Sequence, residues 1–332
     1  MSKPDKGNLP FEPPMLIAGS SRSGTTWVLD VLATTHELRP IFEPLHPGAV
    51  KDAQRYAWKY VPQDSDLPGM EEFFLRVFSG DLSTLWTDFR VPPRDIFPRL
   101  STLDRLDAFK KLLKEWQRAL NQYRTCRTWR SRNPVIVKCI RANLLLGWLA
   151  SRFNAKVLLL VRHPGAVVES KLRLGGFSWD PSRVISAYRN DENLFRLNNG
   201  QYTELLSQDL TNAQAHTLIW CIENQLPLSD AEKNGYLTVY YEDLVDEGVP
   251  EWDRISRFFD LKPVEWDREL FSSPSQQASP DWRNASKRVH VHSKWLDRIA
   301  PRDLRDVDEI LKVTGVTNYD AYTPSPKKYL ST

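Results

Sequence analysis

The stretch from Met15 to Trp27, MLIAGSSRSGTTW, constrains the fold of this chain more than any other. An apolar, strand-like run enters a loop with glycines at 19 and 24. The loop then gives way to TWVLDVLATTH, whose apolar residues recur at helical spacing. Strand, glycine loop and helix in this order belong to an α/β sheet. Backbone N–H groups at such a turn, with the positive end of the helix dipole, form an anion site that glycines let a ligand approach closely. Loops that bind nucleoside triphosphates carry a lysine after the second glycine, where this chain has Thr25. The cation has moved into the loop as Arg22, whose planar fork of donors suits an anionic group attached to a single 5′-phosphate. A glycine turn that merely connects strand to helix is the competing reading, so a second element is needed.

The α/β pattern recurs along the chain. A second strand is predicted near RPIFEP, then PVIVKCI as a strand, NLLLGWLASRF as a helix, KVLLLVR as a strand and PGAVVESKL as a helix. A further helix is predicted over 212–224, and YLTVYYEDL reads as one more buried strand. Strands that are apolar throughout and separated by helices indicate a mainly parallel sheet covered on both faces. Residues 51–132, rich in Leu, Phe, Trp and Arg from Glu71 onward, read as a helical insertion beside that sheet. With no repeat and no long linker, the expectation is one domain spanning 1–332.

Net charge is only +3, so no overall field favours nucleic acid, and any anion site must come from local placement of Arg and Lys. Cys126, Cys139 and Cys221 have neither the number nor the spacing of a disulfide framework or zinc site, and no Asp or His cluster suggests magnesium. No metal is expected. The N-terminal residues lack an apolar signal core and no run is long enough to span a bilayer, from which a cytoplasmic, unanchored protein is expected.

The second element is VRHPGAVVESKL. Arg162 ends a strand, His163 and Pro164 open a helix, and Ser170 follows Arg162 by eight residues. In an open α/β sheet ligands gather at the carboxyl ends of strands, which puts this turn and the first loop on one rim. Here the sequence resembles the sulfotransferases that use 3′-phosphoadenosine 5′-phosphosulfate (PAPS). RSGTTW looks like their 5′-phosphosulfate loop, implying contacts from Arg22, Ser23, Gly24, Thr25 and Thr26, with Trp27 stacking on adenine. RHPGAVVES is similar to their 3′-phosphate motif, which implies that Arg162 and Ser170 hold that phosphate. VYYEDL resembles a third segment, implying a nucleotide contact from Tyr241. The likeness runs from Met15 to about Trp295.

Arg22 and IFEPLHP resemble the carbohydrate and tyrosylprotein branches more than the phenol and steroid branch, which has lysine at the place of Arg22 and a histidine two residues after a lysine. Here that stretch is VKCIR: Lys138 is retained and Ile140 replaces the histidine. Glu43, after the second strand, is then the leading candidate to take the acceptor proton, with His46 as the alternative. The implied reaction is in-line sulfuryl transfer to a hydroxyl of a carbohydrate or small metabolite, assisted by Arg22 and Lys138. A small-molecule kinase and a non-catalytic binder of 3′-phosphoadenosine 5′-phosphate (PAP) are the other readings. The resemblance also implies that Lys287 and Arg288 close over the 3′-phosphate, against which stands a solvated basic turn. The arginines at 124, 127, 130 and 132 suggest an acidic acceptor or a solvated face. Trp58, Trp86, Trp116 and Trp129 suit either sugar stacking or core packing.

Overall fold

The computed structural model describes residues 11–90, 133–176, 179–195, 200–246, 248–263 and 291–327. Its strands are β1 (Met15–Ala18), β2 (Arg39–Phe42), β3 (Val135–Lys138), β4 (Lys156–Val161) and β5 (Leu237–Tyr240). They form one all-parallel sheet in the order β2-β3-β1-β4-β5. The helices that frame it are α1 (Thr25–Thr35), α2 (Pro68–Phe78), α3 (Leu85–Phe89), α4 (Leu146–Phe153), α5 (Pro164–Leu174), α6 (Ser182–Arg189), α7 (Asn212–Asn234), α8 (Tyr241–Asp246), α9 (Val249–Phe258) and α10 (Pro301–Val313).

The strands are apolar at successive positions because each supplies two cores. Leu16, Ala18, Val137, Val157 and Leu159 pack with α2, α4, α5, α7 and α10 on one face. Ile17, Ile136, Leu158 and Leu160 pack with α1, α8 and α9 on the other. A one-residue slip of β1 would exchange its two sets of side chains between these cores, so the register is strongly specified. The helical insertion is represented by α2 and α3, and the rest of it, 91–132 with Trp116, Trp129, Cys126 and the arginine run, lies outside the described residues.

Two expectations need correction. YLTVYYEDL is a strand only through Tyr240; α8 starts at Tyr241 with Glu242 and Asp243 in its first turn, where acidic side chains suit the helix dipole. The helix expected over 212–224 continues to Asn234, through Pro227. A proline inside a helix removes the N–H that would bond the carbonyl four residues back. That carbonyl, of Glu223, instead accepts from Asn143 Nδ2 at 3.1 Å, so the helix survives its proline. Among the described residues no helix is long and apolar enough to cross a membrane.

Candidate functional site

The glycine loop leaves the carboxyl end of the central strand β1. Gly19 has φ 141°, and a Cβ there would lie 2.2 Å from the carbonyl oxygen of Leu160 on β4. Its N–H donates to Asn143 Oδ1 at 3.1 Å. Asn143, just after β3, therefore ties the start of the loop to the carbonyl released by Pro227. Arg22 adopts φ 71° and Gly24 φ 93°, positive values that curl the loop. Ser23 is fully buried, its hydroxyl 2.9 Å from that of Ser20. Thr25 and Thr26 are buried at the start of α1, which no side chain caps. A Cβ on Gly24 would stand 2.7 Å from the Tyr241 ring, so this close approach requires glycine. Trp27 packs edge-on against Trp252 at 5.3 Å and Tyr241 at 6.1 Å.

The second motif meets this loop directly. Arg22 Nε donates to Ser170 Oγ at 3.0 Å, and Arg162 Nη1 donates to the carbonyl of Arg22 at 2.9 Å. The Arg162 guanidinium lies 4.5 Å over the Tyr241 ring, while the carbonyl of Arg162 accepts from Trp220 Nε1 at 2.9 Å. Arg22 also faces the Trp179 ring at 5.6 Å. Burial, reinforced by Arg162 and Arg173, lowers the Arg22 pKa to about 10. Lys171, next to Ser170, is buried, and burial lowers its pKa, opposed by Glu223 and reinforced by Arg22. The rim is thus crowded with cations.

Beside the loop, Lys138 closes β3 in register with Ile17 of β1 and Phe42 of β2. The next residue after β2 is Glu43, 2% exposed, which receives hydrogen bonds from Lys138 Nζ, from the Ile140 N–H at 3.2 Å and from Arg141 Nη1 at 2.8 Å. Burial pushes its carboxyl up, but Lys138, Arg141 and these hydrogen bonds outweigh that and hold it below the usual carboxylate range. The His46 ring packs against Trp86 at 4.4 Å, tilted by 53°, and its Nδ1 accepts from the Gly48 N–H at 3.3 Å. Burial, with Arg141 adding to it, lowers the His46 pKa to about 4, so the ring is neutral at pH 7 and its proton sits on Nε2.

Arg141 reaches past Glu43 to the Trp58 ring, 5.1 Å away, and Arg183 approaches the same ring at 5.6 Å. Trp58 lines a cavity of about 580 Å³ together with Gln54, Tyr60, Arg183, Asn190 and Asn193. Lys287 and Arg288 fall outside the described residues. Among the described residues no three His, Cys, Asp or Glu side chains gather as a metal site, and His292 faces Asp246 at 3.2 Å.

Sequence reasoning missed Asn143, Arg141, Lys171 and Trp179. Arg141 stood three residues after Lys138 in a stretch already singled out, a signal that was available. Asn143 lay at the head of a helix-like run and carried none.

The sequence profile described as "Sulfotransferase family" matches residues 13–267. Among curated proteins no relative matches. Solved structures similar to this one include the sulfotransferase domain from the curacin biosynthetic pathway, 16% identical over 81% of this chain and 79% of that one, with a TM-score of 0.39. The sulfotransferase domain of the Synechococcus PCC 7002 olefin synthase is 19% identical over 96% and 98%, with a TM-score of 0.41. Mouse sulfotransferase SULT7A1, complexed with PAP, is 13% identical over 92% and 86%, with a TM-score of 0.37. With the family profile covering both rim motifs and more than half of its length, this chain belongs to the sulfotransferase family, whose chemistry is the transfer of a sulfuryl group.

Proposed function

We propose that the enzyme transfers the sulfuryl group of PAPS to a hydroxyl of a carbohydrate or small polyhydroxylated metabolite, with Glu43 taking the acceptor proton. The observation that carries this reading is the meeting of two distant motifs at one rim: Arg22 on Ser170, and Arg162 on the carbonyl of Arg22. The residues fit such a donor. A Cβ would fill the space at Gly24, α1 carries no side-chain cap, and the neighbouring cations destabilise one another until an anion arrives. Arg22 and the loop from Ser23 to Thr26 then hold the phosphosulfate, and Arg162 and Ser170 the 3′-phosphate, joined by Lys287 and Arg288. Trp27 and Tyr241 flank the nucleoside.

In the reaction the acceptor oxygen bonds to sulfur as the bond from sulfur to the phosphate oxygen breaks, and PAP departs. Charge growing on the bridging and equatorial oxygens is met by Arg22 and Lys138. The acceptor proton passes to the Glu43 carboxylate, which its cations keep ionised. His46 is the alternative base, neutral at pH 7 with its Nδ1 accepting from the Gly48 N–H. The cavity beside Arg141 suits the acceptor: an indole surrounded by planar polar side chains is the pattern of a sugar site. Arg22 and Glu43 also support kinship with the carbohydrate and tyrosylprotein branches.

Calorimetry with PAP and with magnesium ATP tests the donor reading. The wild type should bind PAP, and Arg162→Ala should weaken it about 10- to 100-fold, the value of a charge-assisted contact. Preference for magnesium ATP, unaffected by Arg162→Ala, would sink the reading in favour of a kinase.

A further inference from the structure

Just past the carboxyl ends of β4 and β5, beneath the nucleotide motifs, the C-terminal residues dock into a buried polar network that the reaction does not use. Its hub is Glu242, 1% exposed. One carboxylate oxygen accepts the N–H of His163 at 2.9 Å, and the other accepts the hydroxyl of Tyr319 at 2.8 Å. His163 is itself fully buried: Nδ1 accepts the N–H of Gly165 at 3.0 Å, so Nε2 carries the proton and donates to the carbonyl of Asp320 at 2.8 Å. The His163 ring stacks on Trp295 at 4.4 Å and meets Tyr319 edge-on at 4.9 Å. There is no slack at this point, since a Cβ on Gly165 would fall 2.3 Å from the Trp295 ring. The tail is shaped to deliver these groups. Asp320 Oδ1 accepts the N–H groups of Tyr322 and Thr323 at 2.9 and 2.8 Å, and Lys327 N–H returns to the carbonyl of Asn318 at 2.9 Å.

The sequence positions give this network its meaning. His163 follows Arg162, and Glu242 follows Tyr241. The bond between His163 and Glu242 is therefore a rigid strut immediately behind the cation–ring contact of Arg162 over Tyr241. The geometry points to Tyr319 as a positioning residue for the nucleotide site: the docked tail holds Glu242 and His163, and through them sets Arg162 and Tyr241 in the arrangement that binds PAP. This rests on the donor reading proposed above. Neither Tyr319 nor Glu242 touches the ligand; they act through the residues that do.

The network works with Glu242 ionised, since a carboxylate can accept both hydrogen bonds. Burial raises its pKa to about 6, opposed by the His163 N–H, its own backbone, the Tyr319 hydroxyl and Arg162. The other titratable groups facing it stay neutral there: burial keeps the His163 pKa at about 4, and burial with Glu242 raises that of Tyr319 well above its ordinary value. Asp243 and Asp320 stand at the edge of the network, on the Tyr319 and His163 sides. As pH falls through about 6, a proton on one oxygen displaces a donor and the strut loosens.

Calorimetric titration of PAP into the full-length protein between pH 5 and 8 tests this, with Tyr319→Phe, Glu242→Gln and the exposed Tyr322→Phe as control. Tyr319→Phe should weaken PAP about tenfold at pH 7.5, the effect of one orphaned buried acceptor, and Tyr322→Phe should not change it. The phosphates of the probe take up protons near pH 6 themselves, so the telling quantity is the difference between proteins. Glu242→Gln, which cannot titrate yet keeps an acceptor for His163 and a donor for Tyr319, should retain most of the affinity at pH 7.5. It should also lose the protein's share of the decline below pH 6. Equal affinity in Tyr319→Phe, or identical pH profiles in wild type and Glu242→Gln, would overturn the inference while PAP binding by the wild type upholds the donor reading. A wild type that binds no PAP would overturn both.

Discussion

Asn143 carries two backbone groups at once, and a double-mutant cycle with Pro227 separates them. Its Oδ1 accepts the Gly19 N–H at 3.1 Å and its Nδ2 donates to the Glu223 carbonyl at 3.1 Å. Asn143→Ala orphans both groups in a region where Asn143 itself is 4% exposed. At about 1–3 kcal/mol for each unsatisfied buried group, the loss is about 2–6 kcal/mol. An unfolding entropy of about 2.1 cal/mol/K per residue gives a chain of this size about 0.7 kcal/mol/K, so the midpoint should fall by about 3–9 °C. Pro227→Ala supplies an N–H four residues after Glu223, which in the Asn143→Ala background can bond the orphaned carbonyl. The substitution should therefore be more favourable in that background than in the wild type by about 1–3 kcal/mol, general effects of removing a helical proline cancelling in the cycle. Thermal and urea melts of the four proteins give the coupling. PAP titration gives the other half: binding lost with Asn143→Ala should stay lost in the double variant, because Gly19 remains untethered. If Pro227→Ala changed stability equally in both backgrounds, the account of how α7 survives its proline would be refuted.

Two further substitutions test the rim. Gly24→Ala places a methyl 2.7 Å from the Tyr241 ring at φ 93°, so PAP affinity measured by calorimetry should drop at least about tenfold while the far-ultraviolet spectrum stays native. Glu43→Gln leaves Lys138 buried without its counter-charge and should cost about 3–5 kcal/mol in denaturant melts at pH 7. Because the Glu43 pKa is depressed on folding, its contribution is complete above the ordinary carboxylate value and is lost as pH falls through the folded one, so the gap between wild type and Glu43→Gln should close in acid.

What could be read from the sequence was whatever local pattern encodes. Most strands of the sheet announced themselves as apolar runs, β2 with its Arg39 and Pro40 less plainly, and the loop and the Arg162 turn by residue type and spacing, so the sheet class and the shared rim were legible. The tethers were not, because they join residues far apart in sequence: Gly19 to Asn143 across 124 positions, Tyr319 to Glu242 across 77 and His163 to Asp320 across 157. No periodicity marks such pairs. The continuation of α7 through Pro227 was not legible for the same reason. Locally a proline ends a helix, and only a side chain from another element lets this one continue. Tyr241 shows a third kind of limit: the strand ends one residue before it, where Glu242 and Asp243, ill-suited to the buried strand expected there, suit a helix start.

The sheet order also bears on the lysine absent from the loop. Lys138 lies on β3, between β1, which carries the loop, and β2, which carries Glu43, and is in register with Ile17 and Phe42. A cation therefore still reaches the end of the central strand, but from the neighbouring strand rather than from the helix. There its ammonium pairs with Glu43, which Arg141 also bridges, so the three groups together keep a net positive charge. The loop's own charge is then that of Arg22, held by burial and by the facing Arg162 and Arg173 at a proton affinity below the ordinary guanidinium value. Under the proposed reaction this division is suited to the group transferred. A sulfuryl group carries less charge than a terminal phosphoryl, so a planar guanidinium at the loop and the net positive Lys138–Glu43–Arg141 cluster at its side can meet the developing charge. Under the same reading that ion pair keeps the Glu43 carboxylate ionised, at a lowered proton affinity, next to the strand end where the acceptor would deliver its proton.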